Sequence, residues 1–148
     1  MYSYPFEPKT PYLTTDGIIE VYRDGMFEGI VLIERKYEPV GFALPGGFVE
    51  VRECVEDALV REMKEETTLD VGISYLLGIY SDPKRDPRFH TASAVYVVKA
   101  EGTPKGEDDA KEAKVYTLDD IPFEKLVFDH AKIVRDYLKK RRDVGSHC

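Results

Sequence analysis

The stretch "REMKEETTL", residues 61–69, crowds Glu62, Glu65 and Glu66 into a segment of good helix formers. An α-helix turns once every 3.6 residues, so spacings of three and four place these carboxylates on one helical face. Like charges at such spacings destabilise an isolated helix by roughly 0.2 to 0.5 kcal/mol per pair, a penalty that attraction to a cation could offset. The stretch therefore predicts an acidic helix face that requires a counter-charge.

The residues before this stretch predict the rest of the helix and the loop that leads into it. Val55, Leu59 and Met63 recur every four residues within a helix from about Cys54 to Thr67, so they should face a core. The preceding "FALPGGFVE" interrupts regular structure at its Pro-Gly-Gly. We expect the helix to be anchored by its apolar side and to carry the acids toward the rim of that side.

The remaining chain predicts strands and one further helix. "GIIEVYR" and "FEGIVLIER" are rich in β-branched residues and flank the turn "RDG", which predicts a hairpin. Further strands are predicted at "VGISYLLGIYS", "TASAVYVVKA" and "KVYTL", the loop "DPKRDPRFH" is too polar for a core, and a helix is predicted from about Phe128 to Lys140. We expect an α/β fold whose mixed sheet is covered on both faces, as one domain over residues 1–148, with a loose arm at 1–15 and a flexible tail at 141–148.

Composition narrows the classes of function. The net charge of −7 argues against general adhesion to nucleic acid, which depends on Lys and Arg. The longest apolar runs are too short to span a bilayer, and the opening residues do not resemble an export signal. Cys54 and Cys148 have neither metal-site nor disulfide-framework spacing, which fits a reducing compartment. Together these features predict a cytoplasmic protein that contacts neither membrane nor nucleic acid.

The segment "GFVEVRECVEDALVREMKEETTL", residues 47–69, resembles the signature of the Nudix hydrolase family, G-x5-E-x7-R-E-U-x-E-E-x-G-U, where U is a bulky aliphatic residue. Eight of the nine specified positions match; they are Gly47, Glu53, Arg61, Glu62, Met63, Glu65, Glu66 and Leu69. The departure is Thr68, where the family normally has a glycine that ends the helix. The resemblance implies the family's α/β/α sandwich, with this helix at its centre and the second helix at the C-terminus.

The resemblance also implies a metal-dependent hydrolysis of a diphosphate. Glu62, Glu65 and Glu66 would bind Mg²⁺, with Mn²⁺ as the alternative, and hard carboxylate oxygens suit both ions. Glu53 would add charge, and Arg61 would hold the carboxylates in position through charge-assisted hydrogen bonds. The alternative is that the three glutamates are only the solvated face of an amphipathic helix, but the register of Gly47, Glu53 and Arg61 favours the catalytic interpretation.

The loops bear on the substrate. "YSDPKRDPRFHTAS" at 80–93 and "FDHAKIVRDYL" at 128–138 resemble segments of Nudix ADP-ribose pyrophosphatases, which implies hydrolysis of ADP-ribose to AMP and ribose 5-phosphate by a homodimer. The arm at 1–15 is a candidate packing element for that dimer. Two alternatives are a sanitising diphosphatase for 8-oxo-dGTP and a non-catalytic Nudix domain that senses a nucleotide.

Several further residues are candidates for substrate contact. Arg85 and Arg88 could grip a phosphate or ribose, Arg35 could reach the diphosphate, and Gly46 and Gly47 belong to the loop beside the acids. Related ADP-ribose hydrolases supply one more carboxylate from the loop that here contains Glu112, although Asp108 or Asp109 could replace it. Ordinary surface charge is the competing explanation for Arg35, Arg85, Arg88 and Glu112. Tyr80 and Phe89 could stack on a base but are more typical of core, and His90 and His130 are better explained by satisfied hydrogen bonds.

Overall fold

The computed structural model describes residues 3–145, which form one mixed sheet with a helix on each face. The strands are β1 (Tyr12–Arg23), β2 (Met26–Arg35), β3 (Phe42–Ala43), β4 (Gly46–Phe48), β5 (Gly72–Tyr80), β6 (Thr91–Glu101) and β7 (Ala110–Tyr116). The helices are α1 (Val55–Thr67) and α2 (His130–Gly145), with a short 3-10 turn at Phe123–Lys125. The expected α/β fold with a mixed sheet is confirmed.

The sheet is built around strand β1. Its strand order is β3-β2-β1-β6-β5, with β4 added to β1 and β7 added to β2. β1 pairs with β6 in parallel and with β2 in the predicted antiparallel hairpin. Asp24 and Gly25 both have positive φ at the turn of that hairpin, the conformation that a two-residue connection favours. Neither helix in residues 3–145 is long and apolar enough to cross a membrane.

Side chains of the central strands alternate between two hydrophobic cores. Ile19 and Val31 point to the face that carries α1, where they cluster with the predicted core residues Leu59 and Met63. Their neighbours on the strands point to the other face and cluster with α2; this group includes Ile18, Ile30, Leu32, Ile133, Val134 and Tyr137. The α/β/α sandwich follows from this two-residue alternation, because each face of the sheet is apolar and each is covered by one helix.

Strand β1 begins earlier and helix α2 ends later than the sequence predicted. β1 begins at Tyr12, so only the earlier part of the expected arm at 1–15 lies outside the sheet; Thr14 and Thr15 are buried. Helix α2 continues to Gly145, five residues beyond its expected end at Lys140. Arg141 explains part of the extension, because its guanidinium donates to the buried Glu20 carboxylate at 2.8 Å. Residues 146–148 of the expected tail lie outside the described residues.

Two local predictions also need correction. β7 begins at Ala110 rather than at Lys114, because it pairs with β2 along its length despite its polar composition. The loop between β5 and β6 was expected to be too polar for the interior, yet Arg85 and Asp86 are both buried. Each of these two side chains forms an ion pair, which offsets the cost of removing its charge from water.

Helix α1 ends as the family signature requires, although Thr68 occupies the glycine position. Thr68 adopts the left-handed conformation, with φ of 66°, and its N–H donates to the Lys64 carbonyl at 3.0 Å. This is the helix-ending geometry that glycine adopts without steric penalty. The departure from the signature therefore adds a steric cost at the C-terminal end of α1 and leaves the geometry of that end intact.

Candidate active site

A cleft of about 320 Å³ opens beside the acidic end of α1. Its walls combine acids and arginines; those discussed below are Asp16, Glu62, Glu66, Asp108, Asp109, Arg35, Arg85 and Arg88. Glu53, Arg61, Glu65 and Glu112 do not line the cleft. A cavity of this size and mixed charge can hold a polar ligand that carries both anionic groups and a bound cation.

Arg61 organises the acids of α1. Its guanidinium donates to both oxygens of Glu53 at 2.8 and 2.9 Å, and its Nη1 donates to Glu62 at 2.9 Å and to Glu65 at 3.2 Å. The bidentate bond with Arg61 lowers the pKa of Glu53 to about 2. Arg61 thus bonds to the carboxylates of Glu53, Glu62 and Glu65 and supplies a counter-charge for these three.

Glu66 is the deeply buried acid of the set, with 4% of its surface exposed. Its Oε1 accepts the N–H of Gly46 at 2.7 Å. Burial raises the pKa of Glu66 to about 8, and the nearby charges of Glu62 and Asp16 act in the same direction. The expectation that all three glutamates lie at the rim of the apolar face is therefore wrong for Glu66, which lies inside the cleft.

The Pro-Gly-Gly loop is adjacent to α1 because its glycines have no side chains. A Cβ added to Gly47 would lie 2.6 Å from the Glu62 carboxylate, and one added to Gly46 would collide with the backbone of Thr15 and Asp16. Gly46 and Gly47 both line the cleft. Their contact with substrate remains a prediction, whereas their close approach to the acids is a feature of the structure.

Asp16 is a site residue that the sequence interpretation missed. It lies on β1, is 9% exposed, lines the cleft and accepts a hydrogen bond from the Ser93 hydroxyl at 2.5 Å. Burial raises its pKa to about 6. A charged residue directly before the apolar run "GIIEV" was the available signal, because an aspartate inside a strand is uncommon.

The three candidate arginines differ in how many of their donors are already used. Arg85 is 7% exposed and donates to both oxygens of Asp129, at 3.0 and 2.8 Å, and to Thr91 at 2.7 Å. These bonds use most of its fork to hold the β5–β6 loop against α2. Arg85 lines the cleft, but most of its donors are already used by Asp129 and Thr91, so its contact with substrate stays a prediction.

Arg35 and Arg88 both line the cleft and leave donors available. Arg88 Nε and Nη2 donate to the Asp86 carboxylate at 3.0 and 2.9 Å, which leaves Nη1 on the side away from Asp86. Arg35 Nε donates to the Pro39 carbonyl at 2.8 Å. Burial and the charge of Arg88 lower the pKa of Arg35, which remains a cation at neutral pH. The two side chains are therefore suited to bind anionic groups.

Glu112 does not lie where the sequence interpretation placed it. The residue belongs to β7, is paired in register with Glu34, and forms an ion pair with Lys114 at 3.0 Å. Asp108 and Asp109, in the loop before β7, line the cleft instead. The backbone of this segment is in the sheet rather than a loop, so the strand pairing determines where the Glu112 side chain points.

The remaining aromatic and histidine candidates have ordinary structural partners. Tyr80 donates its hydroxyl to Asp136 at 2.8 Å, and Phe89 packs 5.0 Å from the ring of Tyr12 while 39% exposed. His90 Nε2 bonds to the Ser81 carbonyl at 2.8 Å, and His130 Nδ1 accepts the N–H of Leu44 at 2.9 Å. Both histidines are satisfied, as predicted, and Phe89 is not a core residue.

The donor chemistry of the cleft fits a divalent cation. Glu62 and Glu66 both line it, and burial raises the pKa of each carboxyl, so a cation nearby would relieve a real electrostatic cost. Within residues 3–145, however, no three Asp, Glu, His or Cys side chains are arranged as a complete metal site. Glu62 and Glu65 are instead bonded to Arg61.

Comparison with known proteins places the chain in a family. The model of the NUDIX domain matches residues 11–137. The "ADP-ribose pyrophosphatase" of Methanocaldococcus jannaschii is 50% identical over 132 residues, which cover 87% of this chain and 74% of that protein. This match spans most of both chains, so the similarity extends well beyond the signature.

Two solved structures share the fold. A MutT/nudix family protein from Enterococcus faecalis superposes with a TM-score of 0.80 at 28% identity, covering 95% of this chain and 66% of that one. A bifunctional NMN adenylyltransferase/ADP ribose pyrophosphatase from Francisella tularensis, complexed with AMP and a Mn ion, gives 0.77 at 27% identity, covering 93% and 43%. With the signature at 47–69, the matched domain and these superpositions, the prediction of a Nudix hydrolase is confirmed, and the chain belongs to the Nudix family.

Proposed function

We propose that the chain hydrolyses ADP-ribose to AMP and ribose 5-phosphate in a reaction that depends on a divalent cation. The observation that carries this proposal is the presence of acids and arginines in one cleft. The buried Glu66 and the half-buried Glu62 come from α1, and Arg35 and Arg88 come from other elements. A diphosphate needs both kinds of group. Carboxylates hold a cation that neutralises part of its charge, and guanidiniums bind its remaining oxygens. The 50% sequence identity to the ADP-ribose pyrophosphatase of Methanocaldococcus jannaschii supports the choice of substrate.

Glu62 and Glu66 would hold the cation, with Glu65 as a third carboxylate on the same helix. Mg²⁺ is our first choice and Mn²⁺ the second, since both prefer oxygen ligands and the Francisella relative was crystallised with Mn. The bound cation would lower the pKa of a coordinated water and polarise a phosphate. Glu65 must leave Arg61 to contribute, because its carboxylate is bonded to that guanidinium in the structure.

The protein residues around the cation have separate tasks. Arg61 and Glu53 orient the acids of α1, and Gly46 holds Glu66 through its N–H. Arg35 and Arg88 would bind phosphate oxygens. Asp108 or Asp109, which line the cleft, would accept a proton in place of Glu112, which pairs with Lys114 on β7. Hydrolysis consumes one water, breaks one phosphoanhydride bond and leaves a phosphate on each product.

The test is a substrate panel with matched variants. Purified protein with Mg²⁺ should cleave ADP-ribose with a higher kcat/KM than NADH, diadenosine polyphosphates or 8-oxo-dGTP. Glu66→Gln should lose at least 100-fold in kcat, whereas Glu56→Gln, on the first turn of α1 and hydrogen-bonded to Tyr96, should retain full activity. Preference for 8-oxo-dGTP would replace the substrate, and absence of any metal-dependent hydrolysis would favour the nucleotide-sensing alternative.

The expected homodimer and cytoplasmic location belong to the same proposal. Tyr4 and Phe6 in the arm are 74% and 63% exposed, which supports the arm as a packing element between subunits. Cys54 is a free thiol, as a reducing compartment allows. The substrate is a small nucleotide, and the charge of −7 supports the absence of nucleic-acid binding. Light scattering on the full chain, compared with a variant lacking residues 1–11, tests the dimer.

A further inference from the structure

Phe128 holds an unusual conformation at the edge of the cleft. It is the residue before Asp129 and α2, its φ is 58°, and its ring lines both the main cleft and a neighbouring cavity formed with Tyr80, Lys84 and Lys132. A bulky aromatic residue rarely adopts a positive φ, because its Cβ crowds the backbone. Such strain persists only where the surrounding structure requires it, and it is concentrated at functional positions.

The neighbours of Phe128 show what holds it there. The N–H of Val127 donates to the Phe42 carbonyl at 2.9 Å, Asp129 binds Arg85, and His130 accepts the N–H of Leu44. The residues on both sides are thus tied to different elements of the fold. These bonds constrain the backbone on both sides of Phe128, whose ring lines the cleft.

Two guanidinium groups meet this ring. The central carbon of Arg35 lies 5.0 Å from the ring centroid, and that of Arg88 lies 5.3 Å from it. Such distances give a cation–π attraction to the negative face of the ring. The two arginines come from β2 and from the β5–β6 loop, so Phe128 is a contact that they share although they are far apart in sequence.

Each arginine is also anchored by other groups, and for Arg88 these include the Phe89 ring, whose centroid lies 5.0 Å from its central carbon. Asp86, which is 6% exposed, binds Arg88 through two hydrogen bonds, and the carbonyls of Glu38 and Pro39 bind Arg35. Holding two cations near one another is unfavourable, and the lowered pKa of Arg35 reflects in part the charge of Arg88. An anion that contacts both guanidiniums would relieve this repulsion.

We propose that Phe128 is a positioning residue that spaces Arg35 and Arg88 as the two arms of a clamp for a phosphate-bearing anion. The clamp deepens the proposed function. Its assignment to the diphosphate of the substrate rests on that proposed function. Phe128 acts through the two arginines, so it should affect binding of the anion more than the chemical step. Its ring contacts both guanidiniums, one from β2 and one from the β5–β6 loop, and its backbone at that point is left-handed.

The test measures anion binding apart from turnover. Titration calorimetry with inorganic pyrophosphate in EDTA isolates the guanidiniums from any cation on the carboxylates. Phe128→Ala and Phe128→Gly remove the same ring but differ in backbone strain, and Phe128→Tyr keeps the ring. The matched control is Phe123→Ala, which removes a ring that lies 4.7 Å from Arg135 and does not line the cleft.

We expect Phe128→Ala and Phe128→Gly to weaken pyrophosphate binding at least fivefold and by similar factors, even though the Gly variant is the less strained of the two. The same variants should raise KM for ADP-ribose several-fold with kcat within twofold, and Phe128→Tyr should restore both values. The clamp is overturned if the wild-type protein does not bind pyrophosphate, if both ring-less variants bind it normally, or if Phe123→Ala weakens binding equally. If pyrophosphate binding responds as expected but ADP-ribose is not cleaved, the proposed function fails while the clamp stands.

Discussion

The backbone N–H of Gly46 donates to Glu66 Oε1 over 2.7 Å, which joins the loop before α1 to the buried acid near its end. The bond crosses from strand β4 to the helix and stabilises the ionised form of a carboxylate that burial otherwise disfavours. Asp16 lies beside it and contributes a second buried acid. The cleft therefore depends on a close approach that only glycine permits at residues 46 and 47.

Substituting Gly47 should damage the site more than the fold. In Gly47→Ala the new Cβ would lie 2.6 Å from the Glu62 carboxylate, so that carboxylate must leave the position in which it bonds to Arg61. We expect kcat to fall at least tenfold while the free energy of unfolding changes by less than about 2 kcal/mol. Gly72→Ala is the control, because an added Cβ there has open space around it, and it should match the wild type in both measurements.

Cation affinity should rise with pH because the Glu66 carboxyl loses its proton. Its pKa is raised to about 8, so at pH 7 much of the protein carries a proton there that a cation must displace. We expect Mn²⁺ affinity, measured by calorimetry, to increase between pH 6.5 and 8.5 with a proton released on binding. Glu66→Gln should bind more weakly with a flatter pH profile; an unchanged profile in that variant would assign the proton to another group.

His130 should make the fold sensitive to acid. Burial lowers its pKa to about 3, against 6.5 for the unshifted group, so the unfolded chain takes up the proton first as pH falls. The stabilising contribution is full above pH 6.5 and is lost progressively toward pH 3, by at most about 5 kcal/mol.

Asp16 and Glu66 have raised pKa values, which favour the fold at lower pH and so oppose the effect of His130. Comparison of the wild type with His130→Asn isolates the contribution of His130. Asn keeps an acceptor for the Leu44 N–H without a titrating ring. Urea unfolding at several pH values should show a smaller loss of stability in the variant between pH 6.5 and 4. Parallel curves for the two proteins would contradict the assignment.

Replacing Thr68 by the glycine of the family signature should stabilise the protein. Thr68 has φ of 66°, and left-handed backbone costs a residue with a Cβ roughly 1 to 2 kcal/mol. Part of the gain is offset by the greater entropy of glycine in the unfolded chain, so we expect Thr68→Gly to add about 1 kcal/mol to the free energy of unfolding. Thr68→Ala retains the steric conflict and should show no such gain.

The additional carboxylate near β7 can be identified by comparing two exposed acids. Asp109 lines the cleft, whereas Glu112 pairs with Lys114 on the strand. We expect Asp109→Asn to lower kcat for ADP-ribose at least tenfold and Glu112→Gln to leave it within twofold. The reverse ranking would restore Glu112 to the role that its family resemblance suggested.

Much of the fold was predicted from local sequence patterns. The core face of α1 was predicted from apolar spacing of three and four. The hairpin and the strands β5 and β6 were predicted from strand-forming composition and turn residues, which are also local properties of the chain. The polar strand β7 was predicted too short and the ends of β1 and α2 were misplaced, because their stability comes from partners distant in sequence. Arg141, for example, is held by Glu20.

The sequence by itself determined the family and the acids of the site, since Gly47, Glu53, Arg61, Glu62, Glu65 and Glu66 lie in one segment at spacings that a single helix and its loop bring together. Only the tertiary structure decided which other residues share the cleft. Asp16, Phe128 and Arg88 come from separate elements. The loop before β7 brings Asp109 into the cleft, whereas Glu112 is paired within the strand and lies outside it. Such contacts depend on how elements pack and on which polar partners satisfy a buried charge, and neither property can be read from local spacing.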